Sequence, residues 1–140
     1  MFSFNNTLKT LKLKHSALLD LPSPVCMKSL RTLHLDCVDF KDNQSIRNLI
    51  YGFPNLENLV IDRGYPNVVL NFVIVVPFLK TLSIKDYSGL EDGGYVINTP
   101  LKYLKIKGLE GFEICLIENA PELVEANIRN VFGIVNEKIM

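Results

Sequence analysis

One pattern of apolar side chains, L-x-x-L-x-L, constrains this chain more than any other feature, because it returns at near-constant intervals from one end to the other. The copies are Leu8/Leu11/Leu13, Leu30/Leu33/Leu35, Leu56/Leu59/Ile61, Leu79/Leu82/Ile84, Leu101/Leu104/Ile106 and, more weakly, Leu123/Ala126/Ile128. Their first positions lie 22, 26, 23, 22 and 22 residues apart. Within each copy the second and third apolar residues are two apart, so in a strand both point to one face and the residue between them to the other. Strands of this kind, stacked in parallel, bury the leucines of each copy against those of the next. A single copy cannot bury its apolar face alone.

Steps of this length fall in the window of about 20–29 residues that marks leucine-rich repeats. The expected fold is therefore an α/β leucine-rich-repeat solenoid of about six repeats. It forms one domain over 1–140, with repeats starting near 8, 30, 56, 79, 101 and 123 and a parallel sheet on the concave side. Prolines precede several copies (Pro54, Pro77, Pro100 and Pro121), where a residue without a ladder donor suits the turn feeding a strand. Ile46, Leu49, Ile50 and Phe53 fall at helical spacing, with Asp42 or Asn43 as N-cap and Gly52 near the end, which predicts a helix over about 43–51. Val68 to Val76, Tyr95 to Ile97 and Phe112 to Ile117 are rich in β-branched and aromatic residues and read as extended chain on the convex side. Tyr65-Pro66-Asn67 and Glu91-Asp92-Gly93-Gly94 read as turns.

Fifteen basic and fifteen acidic side chains cancel, so no global field draws the chain to nucleic acid or to an anionic membrane. The most apolar stretch, Val68 to Leu79, is interrupted by Asn71 and Pro77 and falls short of the ~20 residues of a spanning helix. Cys26, Cys37 and Cys115 form no C-x-x-C, and no secretory signal opens the sequence. The expectation is an intracellular protein, cytoplasmic or nuclear, with no metal and no cofactor.

The phrases Leu56-Glu57-Asn58-Leu59-Val60-Ile61, Gly94-Tyr95-Val96-Ile97-Asn98-Thr99-Pro100-Leu101-Lys102-Tyr103-Leu104-Lys105-Ile106 and Ile117-Glu118-Asn119-Ala120-Pro121-Glu122-Leu123-Val124-Glu125-Ala126 resemble the repeat region of plant F-box/LRR proteins of the FBD type. The likeness runs from about Leu8 to Val131. It implies a substrate-holding repeat region, since in that family an N-terminal F-box docks on a Skp-type adaptor of a cullin-based ubiquitin ligase. Neither an F-box nor an FBD region is expected within these residues, so the adaptor is a partner only if an F-box is supplied. The alternative is a stand-alone or remnant interaction fragment with no ligase link. Terminal repeats of a solenoid need polar caps, and only Phe2 and Phe4 precede the first copy, which predicts a marginal protein or a piece of a longer one. The Asn or Cys that many such repeats place three after the last strand leucine is not kept: Ser16, Val38, Gly64, Tyr87, Leu109 and Val131 stand there.

A protein partner would meet the outward residues of the concave strands. These form six rows: Thr10, Lys12, Lys14; Thr32, His34, Asp36; Asn58, Val60, Asp62; Thr81, Ser83, Lys85; Tyr103, Lys105, Lys107; and Glu125, Asn127, Arg129. Tyr103 is the expected anchor, because tyrosine offers rigid contact area and a polar tip. The strands alone span ~24 Å by ~17 Å, about half of the ~800 Å² that a standard interface takes from each partner, so loops must contribute.

No catalytic constellation stands out. His34 and Cys37, three apart, face opposite sides of a strand unless Cys37 has left it. His15 has no second ligand near it. The carboxylate pairs Glu91-Asp92 and Glu122/Glu125 lack a pocket that would split their protonation states, and Gly93-Gly94 lacks the lysine and helix of a phosphate loop. Lys102, Lys105 and Lys107 around Tyr103 suit RNA only weakly, given Asp36 and Asp62 on the same face. The expectation is a binding module and not an enzyme, with no nucleic acid and no membrane as partner.

Overall fold

The computed structural model of the chain describes residues 7–14, 18–63, 71–86, 94–108, 114–118, 120–129 and 134–136, the side chains of 114–116 and 134–136 excepted. Six strands pair in one parallel sheet in the order β1 (Thr10–Lys14), β2 (Thr32–Asp36), β3 (Asn58–Arg63), β5 (Thr81–Asp86), β7 (Tyr103–Lys107) and β9 (Glu125–Arg129). A second parallel sheet holds β4 (Asn71–Ile74), β6 (Gly94–Asn98), β8 (Ile114–Glu118) and β10 (Ile134–Asn136). Helix α1 (Asn43–Ile50) packs beside β4 and serves as the return from β2 to β3. From β3 onward the chain alternates between the sheets, one strand in each per turn, which is the solenoid that the spacing predicts.

Register is what turns the repeat into a core. Leu11, Leu33, Leu59, Leu82, Leu104 and Ala126 are successive partners across the six strands, and so are Leu13, Leu35, Ile61, Ile84, Ile106 and Ile128. From the second sheet Phe72, Ile74, Tyr95, Ile97 and Ile117 close over them, with Leu30, Leu56, Leu79 and Leu101 from the turns. Burying each Leu or Ile contributes about 1.5–3 kcal/mol. The outer rungs are less covered: Leu11 and Leu13 are half-buried, and Ile128 is 43% exposed where Ile106 is fully buried.

The turns repeat as faithfully as the strands. Pro54, Pro77 and Pro121 each occupy the second position of a turn closed by a backbone bond, from Leu56 N–H to Phe53 O (3.1 Å), Leu79 N–H to Val76 O (3.2 Å) and Leu123 N–H to Ala120 O (3.3 Å). Proline is pre-set for that position by its fixed φ. Pro100 sits inside a tighter turn, Leu101 N–H to Thr99 O at 2.8 Å. One residue before β1, β2, β3, β5 and β7 a carbonyl, of Lys9, Arg31, Glu57, Lys80 or Lys102, accepts two consecutive N–H groups from the next turn.

Helix α1 begins where the sequence places it. Asp42 is the N-cap, its Oδ1 accepting from Ser45 N–H at 2.8 Å, and hydrogen bonding from the Ser45 backbone and side chain holds its carboxyl below the usual carboxylate range. A carboxyl shifted down stabilises the fold above its unfolded pKa, and that contribution is lost as pH falls through the folded value. Just past the helix, Gly52 is buried against Val25, and a Cβ there would collide with the Val25 backbone.

Among the apolar side chains of the core, Arg63 and Asp86 are buried at the ends of β3 and β5, where they are register partners. Arg63 donates to Asp86 Oδ2 at 3.2 Å and lies 5.2 Å over the Phe72 ring. The Tyr95 hydroxyl, from the other sheet, donates to the same oxygen at 2.6 Å. Burial pushes the Tyr95 phenol well above its ordinary pKa and keeps it a donor. Phe72 in turn stacks on Tyr95 (5.3 Å, 17°) and meets Phe40 edge-on (6.0 Å, 85°). One repeat earlier and one later the equivalent residues leave the strand in the left-handed region, Cys37 at φ 54° and Gly108 at φ 80°.

The expected strands on the return side are confirmed at 71–74, 94–98 and 114–118; residues 68–70 and 112–113 lie outside the described residues, as do the turns at 65–67 and 91–93 and His15. β10 extends the pattern beyond the return segments read from sequence.

Two outcomes follow for stability. Leu82→Ala will lower the urea midpoint by the equivalent of about 2–5 kcal/mol, whereas Ser83→Ala beside it will stay within about 0.5 kcal/mol. Asp86→Ala, which strands a buried guanidinium, will cost about 3–5 kcal/mol, and the triple change Arg63→Met, Asp86→Leu, Tyr95→Phe will cost less than that single one. The reverse order in thermal unfolding would show that the buried polar cluster adds net stability over an apolar filling of the same space.

Candidate functional site

Alternation along each strand sends one set of side chains into the core and the other to the opposite face of the six-stranded sheet. On that outer face the structure places Lys12 and Lys14 of β1, His34 and Asp36 of β2, Asn58 and Asp62 of β3, Lys85 of β5, Tyr103, Lys105 and Lys107 of β7, and Asn127 and Arg129 of β9. Parallel register lines them up in three rows at right angles to the strands. The row nearest the strand starts runs Thr10, Thr32, Asn58, Thr81, Tyr103, Glu125; the middle row Lys12, His34, Val60, Ser83, Lys105, Asn127; the last Lys14, Asp36, Asp62, Lys85, Lys107, Arg129.

These residues differ in what they have left to offer. Asn58 is committed within the sheet, its Nδ2 donating to Thr32 Oγ1 at 3.2 Å and its Oδ1 accepting from Thr81 Oγ1 at 2.6 Å. Tyr103, next in the same row, is 46% exposed and borders a cleft of about 340 Å³ with Thr81, Ser83, Lys105, Glu125 and Asn127. An aromatic side wall beside a shallow cleft of mixed polarity is suited to a partner side chain.

Asp36, Cys37 and Asp62 bring one oxygen or sulfur atom each within 4.8 Å of one another. Asp36 and Asp62 are register partners, and Cys37, past the end of β2, donates its N–H to Asp62 O at 2.7 Å. Sequence spacing alone hides this cluster, because Asp62 joins it only through the register of β2 and β3. Cys37 has left the strand, so the sequence argument that sets it on the opposite face from His34 does not apply to its actual position.

Sequence reading also passed over the edge where the strands begin. There Glu57 bridges Arg31 (3.6 Å) and Lys80 (3.4 Å), exposed contacts worth about 0–1 kcal/mol each. With Phe78, Lys102 and Glu122 they line a cleft of about 400 Å³, and Phe78 is 61% exposed. The signal was the turn phrase Pro77-Phe78, which sets a large apolar residue at the tip of a turn. At the first edge of the sheet, Leu11, Leu13, Leu19, Leu21, Val25 and Met27 line a smaller, wholly apolar hollow of about 120 Å³.

A stacked parallel register, proline-led turns and an outer face free of core duties define a leucine-rich-repeat solenoid, a protein-interaction repeat region. A family model described as Leucine Rich Repeat matches residues 29–54. Over 136 residues the chain is 56% identical to an F-box/LRR-repeat protein of Arabidopsis thaliana, covering 96% of this chain and 44% of that protein. It is 51% identical over 144 residues to an F-box/FBD/LRR-repeat protein of the same plant (100% of this chain, 32% of the relative), and 55% identical over 137 residues to another (96% and 30%). The chain thus spans less than half the length of these relatives. No solved structure matches it. The resemblance to the repeat region of plant F-box/LRR proteins of the FBD type is borne out along nearly the whole chain. Among the described residues no helix is long and apolar enough to cross a membrane.

Proposed function

We propose that this chain is the substrate-holding repeat region of an F-box type ubiquitin-ligase receptor, working inside the cell and gripping a protein on the outer face of its six-stranded sheet. The observation that carries the reading is the similarity, at 51–56% identity, to proteins whose names join an F-box to these repeats. The geometry supports it, since the face presents a half-exposed tyrosine, a cleft beside it and rows of charge held in register. In this reading Lys12, Lys14, His34, Asp36, Asp62, Lys85, Tyr103, Lys105, Lys107, Asn127 and Arg129 contact the partner, and Asn58 orders the strands beneath it. The turn-edge cleft at Phe78 supplies area that the strands lack. Contact with a Skp-type adaptor belongs to an F-box joined to this chain.

The test is crosslinking in plant cells from a photoreactive residue at Ser83, with Val73 on the other sheet as control. A discrete protein captured from 83 and not from 73, whose ubiquitylation rises when an F-box is fused to the chain, is the expected result. Tyr103→Ala should reduce its capture about tenfold or more. A captured protein whose ubiquitylation does not respond would leave an interaction fragment with no ligase link, and no capture specific to 83 would overturn both.

A further inference from the structure

Three cations stand side by side at one end of the outer face. Lys85, Lys107 and Arg129 are register partners on β5, β7 and β9, so their Cα atoms follow one another at ~4.8 Å. Lys105 lies two residues back from Lys107, on the same face, between Ser83 and Asn127. Like charges directly opposite across strands destabilise a sheet. Among the described residues, no carboxylate lies within ion-pair distance of Lys105, Lys107 or Arg129, whereas Arg31, Lys41 and Lys80 each have one. The chain as a whole is neutral, so this concentration is not a by-product of basic composition.

Building on the reading that this face holds a protein, we propose that its β5–β7–β9 end binds an acidic segment of that partner, an extended stretch with several Asp or Glu carboxylates laid across the three strands. Alternate side chains of an extended segment recur every ~6.8 Å. The row of cations spans ~10 Å, and flexible lysine stems bring it into step with two or three such carboxylates. Tyr103 and its cleft receive a neighbouring side chain. A single phosphate is gripped by cations converging on one point, with arginine forks; here three of the four cations are strung in a line and only one of the four is arginine. A longer phosphate backbone would run into Asp62 and Asp36, which continue the same row on β3 and β2. Those two carboxylates instead suit a basic residue of the partner just beyond its acidic stretch.

The test is fluorescence anisotropy of the 140-residue chain with a labelled peptide of alternating Glu and Ser, and with its Gln/Ser and Lys/Ser counterparts, at about 50 and 150 mM salt. The Glu peptide should bind about tenfold or more tightly than either counterpart, less so at the higher salt. Lys105→Glu with Lys107→Glu should abolish that preference and Lys107→Gln weaken it, while Lys9→Glu with Lys28→Glu, exposed beside the far edge of the sheet and outside the rows of that face, should change it less than about twofold. Circular dichroism of each variant separates lost binding from lost fold. Equal binding of the three peptides, or equal losses at both edges, would overturn the proposal. So would tighter binding of single-stranded RNA or of a phosphoserine peptide that depends on the same lysines. If the Glu peptide fails while crosslinking from Ser83 still captures a protein, this inference falls and the protein-holding reading stands; if that crosslink also captures nothing, both fall.

Discussion

Each leucine of this solenoid finds its cover in the neighbouring turn, and the rest of the structure depends on that. Because Leu33, Leu59, Leu82 and Leu104 are register partners, a shift of one residue in any strand would turn its whole apolar set outward. In-register stacking therefore fixes the strands, and the strands fix the rows of the outer face. The turns follow the same rule, with each carbonyl at the start of a strand taking two N–H groups from the turn after it. At the outer rungs, where among the described residues only one strand pairs, Leu11 and Leu13 are half covered and Ile128 is 43% exposed.

The outer face of the sheet is a consequence of this core and not an addition to it. Side chains that alternate away from the leucines take no place in the core, so their identity can vary from strand to strand without opening it. Here they vary in an ordered way, acidic on β2 and β3 and basic on β5, β7 and β9 in the last row. The row nearest the strand starts does the opposite, linking Thr32, Asn58 and Thr81 by hydrogen bonds before it reaches Tyr103. One part of the face thus stiffens the sheet while the other presents charge.

Much of this was legible in the sequence because the repeat is written in residues whose physics is unambiguous. The spacing of Leu56, Leu59 and Ile61 and its copies gave strand positions and facing. Ile46, Leu49, Ile50 and Phe53 pointed to the helix, and Asp42 or Asn43 to its cap, the place that Asp42 takes. What escaped depended on contacts between turns. Arg63 and Asp86 each stand two residues past the last isoleucine of a strand, so their inward direction was readable, but a charged pair there makes sense only once β3 and β5 are set side by side and Tyr95 is brought over from the other sheet. The cluster of Asp36, Cys37 and Asp62 was hidden for the same reason, as was the cleft at Phe78, whose lining comes from successive turns between Arg31 and Glu122.

The central claim is that these turns fold as one object, since none can bury its leucines alone. Urea unfolding followed by far-ultraviolet circular dichroism tests it most directly. A single sharp transition, the same when followed by tyrosine fluorescence, is the predicted result. A gradual loss of signal, or different midpoints by the two probes, would mean that the turns come apart independently and that the outer face is not a rigid surface.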